Sequence, residues 1–129
     1  MHNPTDDYSP LTLAFVGDGV YDLLVREYLA RRANRPVGEL NKTKVAMVNC
    51  KSQARFATML MPNLSEKETA VYKRGRNAAP KSTAKNGTVA EYHSATGLEC
   101  LFGYLYLNGE QDRVEELFHL IVDSVFNND

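Results

Sequence analysis

Cysteine is scarce in this 129-residue chain: Cys50 and Cys100 are the only two, with neither a CxxC pair nor the Cys/His spacing of a zinc site. Disulfide-stapled and zinc-ribbon classes are therefore disfavoured, and two free thiols in a reducing compartment are the expectation. No apolar run approaches the roughly 18 residues that a membrane-spanning helix needs. The start, MHNPTDDYSP, has no basic segment followed by an apolar stretch, so it does not read as a secretory signal and a cytoplasmic location is expected. Internal repeats, long linkers and sustained period-two alternation are missing as well, which removes repeat arrays and most sheet architectures. The length suits one domain with a continuous core.

Net charge is small too, at −1, but its distribution is uneven. Residues 31–90 hold thirteen Lys and Arg against Glu39, Glu66 and Glu68, an excess of ten positive charges, while the flanks hold two basic and thirteen acidic residues. Such segregation creates a local positive field that a near-neutral chain conceals, and it points to an anionic partner for the middle of the chain. Lys73, Arg74, Arg76, Lys81 and Lys85 form the densest run, with no acid between Thr69 and Ala90. Solvated helix faces that differ in charge by chance are the plain alternative.

What is present is helical pattern. Leu11 to Arg32 contains no proline after Ser9-Pro10 and repeats apolar residues near the 3.6 period, and Pro36 and Gly38 break it. Further helices are expected over about 39–48 and 51–60, and Pro62 ends the latter. Ser65 and Glu68 have capping-box spacing, so a helix should start there and reach about Arg74. RGRNAAPKSTAKNGT, residues 74–88, is rich in turn formers and reads as a mobile basic loop. Helix resumes over about 91–107, stops at Asn108-Gly109, and returns over about 110–126 with Val114, Leu117, Phe118, Ile121 and Val125 on one stripe. The expectation is a single all-α domain of five to seven helices over residues 10–129, preceded by a flexible segment, 1–9.

Two acids stand in apolar helical context. Asp18, in LAFVGDGVYD, lies three residues beyond Phe15 and seven beyond Leu11, so helical spacing puts it on their face, here read as the core face. Gly17 and Gly19 flank it, although helix-interior glycine costs up to about 1 kcal/mol each, so a close neighbour is expected there. Glu99, in HSATGLECLFGYLYL, is likewise surrounded by apolar residues and small ones. Two such carboxylates, if they converge, would suit Mg²⁺ or Mn²⁺, hard cations that accept one or two carboxylates plus waters and phosphate oxygens. Buried caps or salt bridges to Lys or Arg would account for the same residues, and spacing cannot choose between them.

At these residues the chain resembles a known family. LAFVGDGVYDLLVREYL is similar to the signature helix of the ribonuclease III family, and ATGLECLFGYLYLNG to that family's second acidic helix. ELNKTKVAMVNCKSQARFA looks like its middle helices, and the likeness covers roughly residues 10–126. The basic RGRNA segment and EYHSATGLE resemble the short bacterial Mini-ribonuclease III branch, which implies a lone catalytic domain without an appended double-stranded-RNA-binding domain. Ala14 and Thr96 stand where the larger family members place further acids, so half of the four-carboxylate cluster is absent.

The resemblance implies Mg²⁺-dependent hydrolysis of double-stranded RNA by a homodimer, with Mn²⁺ a possible substitute and with Asp18 and Glu99 as the catalytic, metal-holding pair. It implies 5′-phosphate and 3′-hydroxyl ends, a precursor of large-subunit (23S) ribosomal RNA as substrate, and a possible ribosomal protein accessory. Duplex RNA exposes phosphates and 2′-hydroxyls rather than base edges, so Lys73, Arg74, Arg76, Lys81 and Lys85 are its candidate contacts. A catalytically weak RNA-binding or ribosome-assembly module that keeps the fold is the second reading. His93, Glu27 and the tyrosines 92, 104 and 106 are expected to serve packing, capping or the surface, Asp22 to be either an outer-shell ligand extending the acidic surface or an exposed helix acid, and Cys100 to be a small buried hydrophobe.

Overall fold

In a computed structural model the structure describes residues 2–80 and 87–126, and among these there is no strand. Six α-helices follow one another: α1 Pro10–Arg32, α2 Val37–Val48, α3 Cys50–Leu60, α4 Glu66–Ala78, α5 Val89–Leu107 and α6 Gln111–Phe126. Short 3-10 turns occupy Pro4–Asp7 and Met61–Asn63. No helix among the described residues is long and apolar enough to cross a membrane.

Local chemistry sets the helix starts. The Ser9 hydroxyl accepts from the Thr12 amide just before Pro10, and the Asn49 side chain accepts from Ser52 at 2.8 Å to open α3. Ser65 and Glu68 close the expected capping box of α4. Thr88 and Glu91 form a second one, which starts α5 two residues earlier than the apolar pattern indicates. Gly109 has a φ of 75°, a left-handed turn between α5 and α6 that a glycine adopts without strain.

Helix α5 is the axis of the molecule. From Ala95 to Leu105 every residue but Glu99 is buried, with α1, α3 and α4 packed around it. Such all-round burial is why this stretch shows no polar face in the sequence. Helix α1 supplies Leu13, Gly17, Tyr21, Val25 and Leu29 to the core. These are strict i+4 steps, each advancing by about 40° around a 3.6-residue helix, so the buried stripe winds around α1. Leu11 and Phe15 therefore face outward, 42% and 81% exposed, although spacing places them on the core face.

Two further readings change. The basic stretch from Arg74 is helical through Ala78, because Gly75, which reads as a breaker, is a packing glycine: a methyl there would collide with the Cys100 side chain. Lys73, Arg74 and Arg76 thus sit on α4, while Lys81 and Lys85 lie outside the described residues. The segment read as flexible holds the Pro4–Asp7 turn, where Thr5 and Asn3 donate to the Asn108 side chain and the Tyr104 hydroxyl donates to Asp6 at 3.0 Å. Lys67 pairs with the same Asp6 carboxylate at 2.9 Å.

Arg113 ties α6 to α4 by donating to both Glu68 oxygens, each at 2.8 Å, and to the Asn63 carbonyl. That guanidinium holds the Glu68 carboxyl below its usual range, ahead of an opposing effect of burial.

Candidate active site

The site is built where α1 and α5 cross. A methyl on Gly17 would overlap the Glu99 carbonyl, and one on Gly103 would overlap the Leu13 carbonyl. The two helices therefore meet main chain against main chain. Gly19 has open space around the position of a Cβ, so of the two glycines beside Asp18 only Gly17 is there for packing. Asp18 follows Gly17, and Glu99 supplies the carbonyl that Gly17 accommodates, so the crossing itself brings the two carboxylates together.

Asp18 is exposed and Glu99 half-buried. The Glu99 carboxyl is pushed up to about 8, first by burial and next by the charge of Asp18, which is within hydrogen-bonding reach of it. No Lys or Arg ion pair with either acid is present among the described residues. The two side chains that the sequence singles out are thus neighbours, and neither is ion-paired with a Lys or Arg among the described residues. Asp18 reaches this position from the exposed face of α1, not from the core face assigned by its spacing from Leu11 and Phe15.

One residue of the site carries no signal in the sequence. Gln53 on α3 is 3% exposed and donates from Nε2 to the Val48 carbonyl at 2.7 Å and to Glu99 Oε2 at 3.4 Å. A lone glutamine in an amphipathic helix reads as surface, and only the helix packing shows otherwise. Tyr21 lies below, fully buried, its hydroxyl donating to the Met47 carbonyl at 2.9 Å. Burial, then the Glu99 charge, raises its ionisation far above the usual phenol range, so it stays a donor.

Other acids serve elsewhere. Asp22 pairs with Arg26 at 2.6 Å and Lys44 at 3.6 Å, and Glu27 with Arg31 at 3.1 Å. Ala14 and Thr96 are both buried, and the Thr96 hydroxyl donates to the Tyr92 carbonyl of its own helix. No cluster of three or more His, Cys, Asp or Glu able to hold a metal is present among the described residues. His93 contacts the Pro80 carbonyl at 3.0 Å, an anchor for the chain between α4 and α5. Cys100 is fully buried, and burial pushes its thiol up to about 11, so it behaves as a small hydrophobe.

The basic end of α4 approaches the same part of α5. Gly75 packs on Cys100 and Gly97, and the Arg74 charge is felt at the Cys100 thiol, one residue beyond Glu99. Lys73 and Arg74 are exposed, and the Arg76 guanidinium lies over the Tyr72 ring, 5.8 Å from its centre. A phosphate backbone drawn to this helix would pass close to the two carboxylates.

Two oxygen-donor carboxylates of like charge, adjacent and without an internal counter-ion, fit a hard divalent cation. Burial, and next the charge of Asp18, favour the protonated form of Glu99; a cation between the two acids would favour the ionised form. Asp18 and Glu99 are the residues that would hold it.

Comparison with known proteins agrees with this geometry. The family model described as "Ribonuclease III domain" matches residues 11–110. The chain is 42% identical over 117 residues to the Mini-ribonuclease 3 of Thermoanaerobacter sp. (strain X514), covering 91% of this chain and 82% of that one. It is 34% identical to the Mini-ribonuclease 3 of Staphylococcus aureus, covering 97% and 98% of the two chains. A crystal structure of a protein from Fusobacterium nucleatum superposes with a TM-score of 0.84 at 32% identity, covering 91% of this chain and 95% of that one.

Proposed function

The chain belongs to the ribonuclease III family and is an endoribonuclease of that type; from this premise we propose that it cuts double-stranded or structured RNA with a divalent cation, Mg²⁺ or Mn²⁺, held by Asp18 and Glu99. The observation that carries the reading is the adjacency of these two carboxylates, with no Lys or Arg ion pair to either among the described residues. When bound, the cation supplies positive charge to the phosphoryl and leaving oxygens and makes a coordinated water more acidic. The remaining work falls to the chain. Lys73 and Arg74 draw the phosphate backbone to α4, with a strong salt dependence from released counterions. Asp18, on the open side, meets the substrate, while half-buried Glu99 is held from behind by Gln53. With water as the attacking group, the ends are 5′-phosphate and 3′-hydroxyl. Following the sequence resemblance, we propose further that the substrate is a ribosomal RNA precursor, that the enzyme is cytoplasmic and that a ribosomal protein is its accessory.

The test is cleavage of a short RNA duplex in Mg²⁺ or Mn²⁺ by wild type and Asp18→Asn. Asp18 is exposed, so the variant is expected to fold and to bind duplex in the absence of metal, yet to cut at least about 10³-fold more slowly, the equivalent of roughly 4 kcal/mol of transition-state stabilisation. Wild-type rates in Asp18→Asn would remove the site. Duplex binding by wild type without cleavage at any metal concentration would favour the RNA-binding module instead.

The enzyme is proposed to act as a homodimer. Leu11, Phe15 and Leu23 on α1 and Tyr106 on α5 are 42%, 81%, 65% and 49% exposed, an unusual amount of apolar surface on the helices that carry the site. A second copy seated there would bring a second pair of carboxylates into the assembly, one for each strand of a duplex. Phe15→Glu is expected to convert the dimer to monomer in sedimentation velocity at micromolar concentration. Its melting temperature should change little beyond the loss of dimerisation, since the ring makes few contacts within one chain. A dimer unaffected by this substitution would place the interface elsewhere.

A further inference from the structure

The corner between α2 and α3 finds a partner for every terminal carbonyl of α2. The last turn of α2 leaves four carbonyls without helical partners. Val45 accepts from the Asn49 amide, Ala46 from the Ser52 hydroxyl at 2.6 Å, Met47 from Tyr21 and Val48 from Gln53. The corner is thus fixed at every position, and the Gln53 side chain is fixed with it.

Gln53 Nε2 touches the Val48 carbonyl, which can only accept, and Glu99 Oε2. The carbonyl settles the orientation of the amide: turning it over would set oxygen against oxygen there. The cost of this orientation is visible, because Gln53 Oε1 is buried with no hydrogen-bond partner, the one such side-chain atom among the described residues. The protons of the amide are thus spent on the corner and on Glu99, while its own acceptor stays unpaired.

We infer that Gln53 is a positioning residue of this endoribonuclease, holding the Glu99 carboxylate from the α2–α3 corner so that two carboxylates suffice where Ala14 and Thr96 supply none. The inference rests on the reading of Asp18 and Glu99 as the metal-holding pair. A hydrogen bond from an amide to one carboxylate oxygen orients the group, and fixing a ligand in advance strengthens its hold on a cation. With Thr96 and Ala14 buried and lacking acidic groups, Glu99 has no neighbouring acid on its own helix or on α1 other than Asp18 to share that task.

The experiment uses Gln53→Leu, which keeps the bulk and removes the amide. Mn²⁺ binding to the RNA-free protein is measured by calorimetry, and duplex cleavage is followed against Mg²⁺ concentration. The expected result is a rise of roughly 10–100-fold in the Mn²⁺ Kd and in the half-saturating Mg²⁺. The rate at saturating metal should stay within a few-fold of wild type, while the melting temperature in EDTA balances the removed unpaired oxygen against the Val48 carbonyl left without its donor. A lower melting temperature with unchanged Mn²⁺ Kd and Mg²⁺ dependence would make Gln53 a core strut and overturn the inference, as would no change in any reading. If Gln53→Leu does not fold, Gln53→Asn, which withdraws the amide by one methylene, carries the same two metal readings. Asp18→Asn run beside them separates the two claims. Wild-type cleavage by Asp18→Asn sinks the site itself, whereas an inactive Asp18→Asn with a wild-type metal response in the Gln53 variant sinks only the role of Gln53.

Discussion

Exchange of Glu99 for glutamine is expected to abolish duplex cleavage and, in the same protein, to increase its stability without metal at pH 8. The two effects have one origin. Glu99 is half-buried beside Asp18, and its carboxyl is pushed up to about 8 from an ordinary value near 4.5. Between these values the folded protein holds a proton that the unfolded chain has released, so unfolding becomes easier as pH rises from about 4.5 through 8. Below about 4.5 both states are protonated and the penalty vanishes; above about 8 it is constant. Glutamine keeps the shape and accepts the Gln53 hydrogen bond but never ionises. The stability difference between Glu99→Gln and wild type should therefore grow over that window to roughly 2–4 kcal/mol, less than the full proton-linkage value because the carboxyl is partly exposed. Denaturant melts in EDTA at pH 5 and pH 8 measure it. Mg²⁺ or Mn²⁺ should restore wild type and leave the variant unmoved, while cleavage falls by about 10³-fold or more. Equal stability of the two proteins at both pH values would show that the carboxyl is not strained.

The second large effect concerns Gly17. Its substitution by alanine sets a methyl against the Glu99 carbonyl, and neither atom belongs to a flexible side chain. Overpacking in cores costs about 1–3 kcal/mol where side chains can shift, and a main-chain obstacle puts this substitution at or beyond the upper end. A fall in melting temperature of about 10 °C or more is expected. Gly19→Ala is the internal control. Nothing stands near that position, so relief of the helix-interior glycine should leave stability unchanged or raise it by up to about 1 kcal/mol. If both substitutions cost the same, the helices are not as close at the crossing as the structure places them.

Much of this architecture is legible in the sequence. Pro62, the Ser65–Glu68 box and Asn108-Gly109 mark true helix ends, because caps and breakers act locally. Gly75 misleads, since the same residue that ends helices also lets them approach, and only the partner at Cys100 tells which. Asp18 stands out in the sequence, but not on the face its spacing suggests. Its spacing from Leu11 and Phe15 suggests the core, whereas the buried stripe of α1 winds and leaves all three outside. The meeting of Asp18 with Glu99 is not in the spacing; likeness to a family suggests it and the crossing of α1 with α5 produces it. Gln53 is invisible, because a polar side chain one turn into α3 differs from a solvated one only through what packs against it.

With no layer of side chains between α1 and α5 at Gly17 and Gly103, the spacing of the backbones that carry the two acids is dictated by peptide groups. Rearrangements among Leu98, Leu101 or Ile121 can loosen the protein yet have no lever on that spacing. Tolerance of core variation and constancy of chemistry are thereby decoupled: this scaffold can drift in thermal robustness while its catalytic constants, taken well below the melting point, hold still.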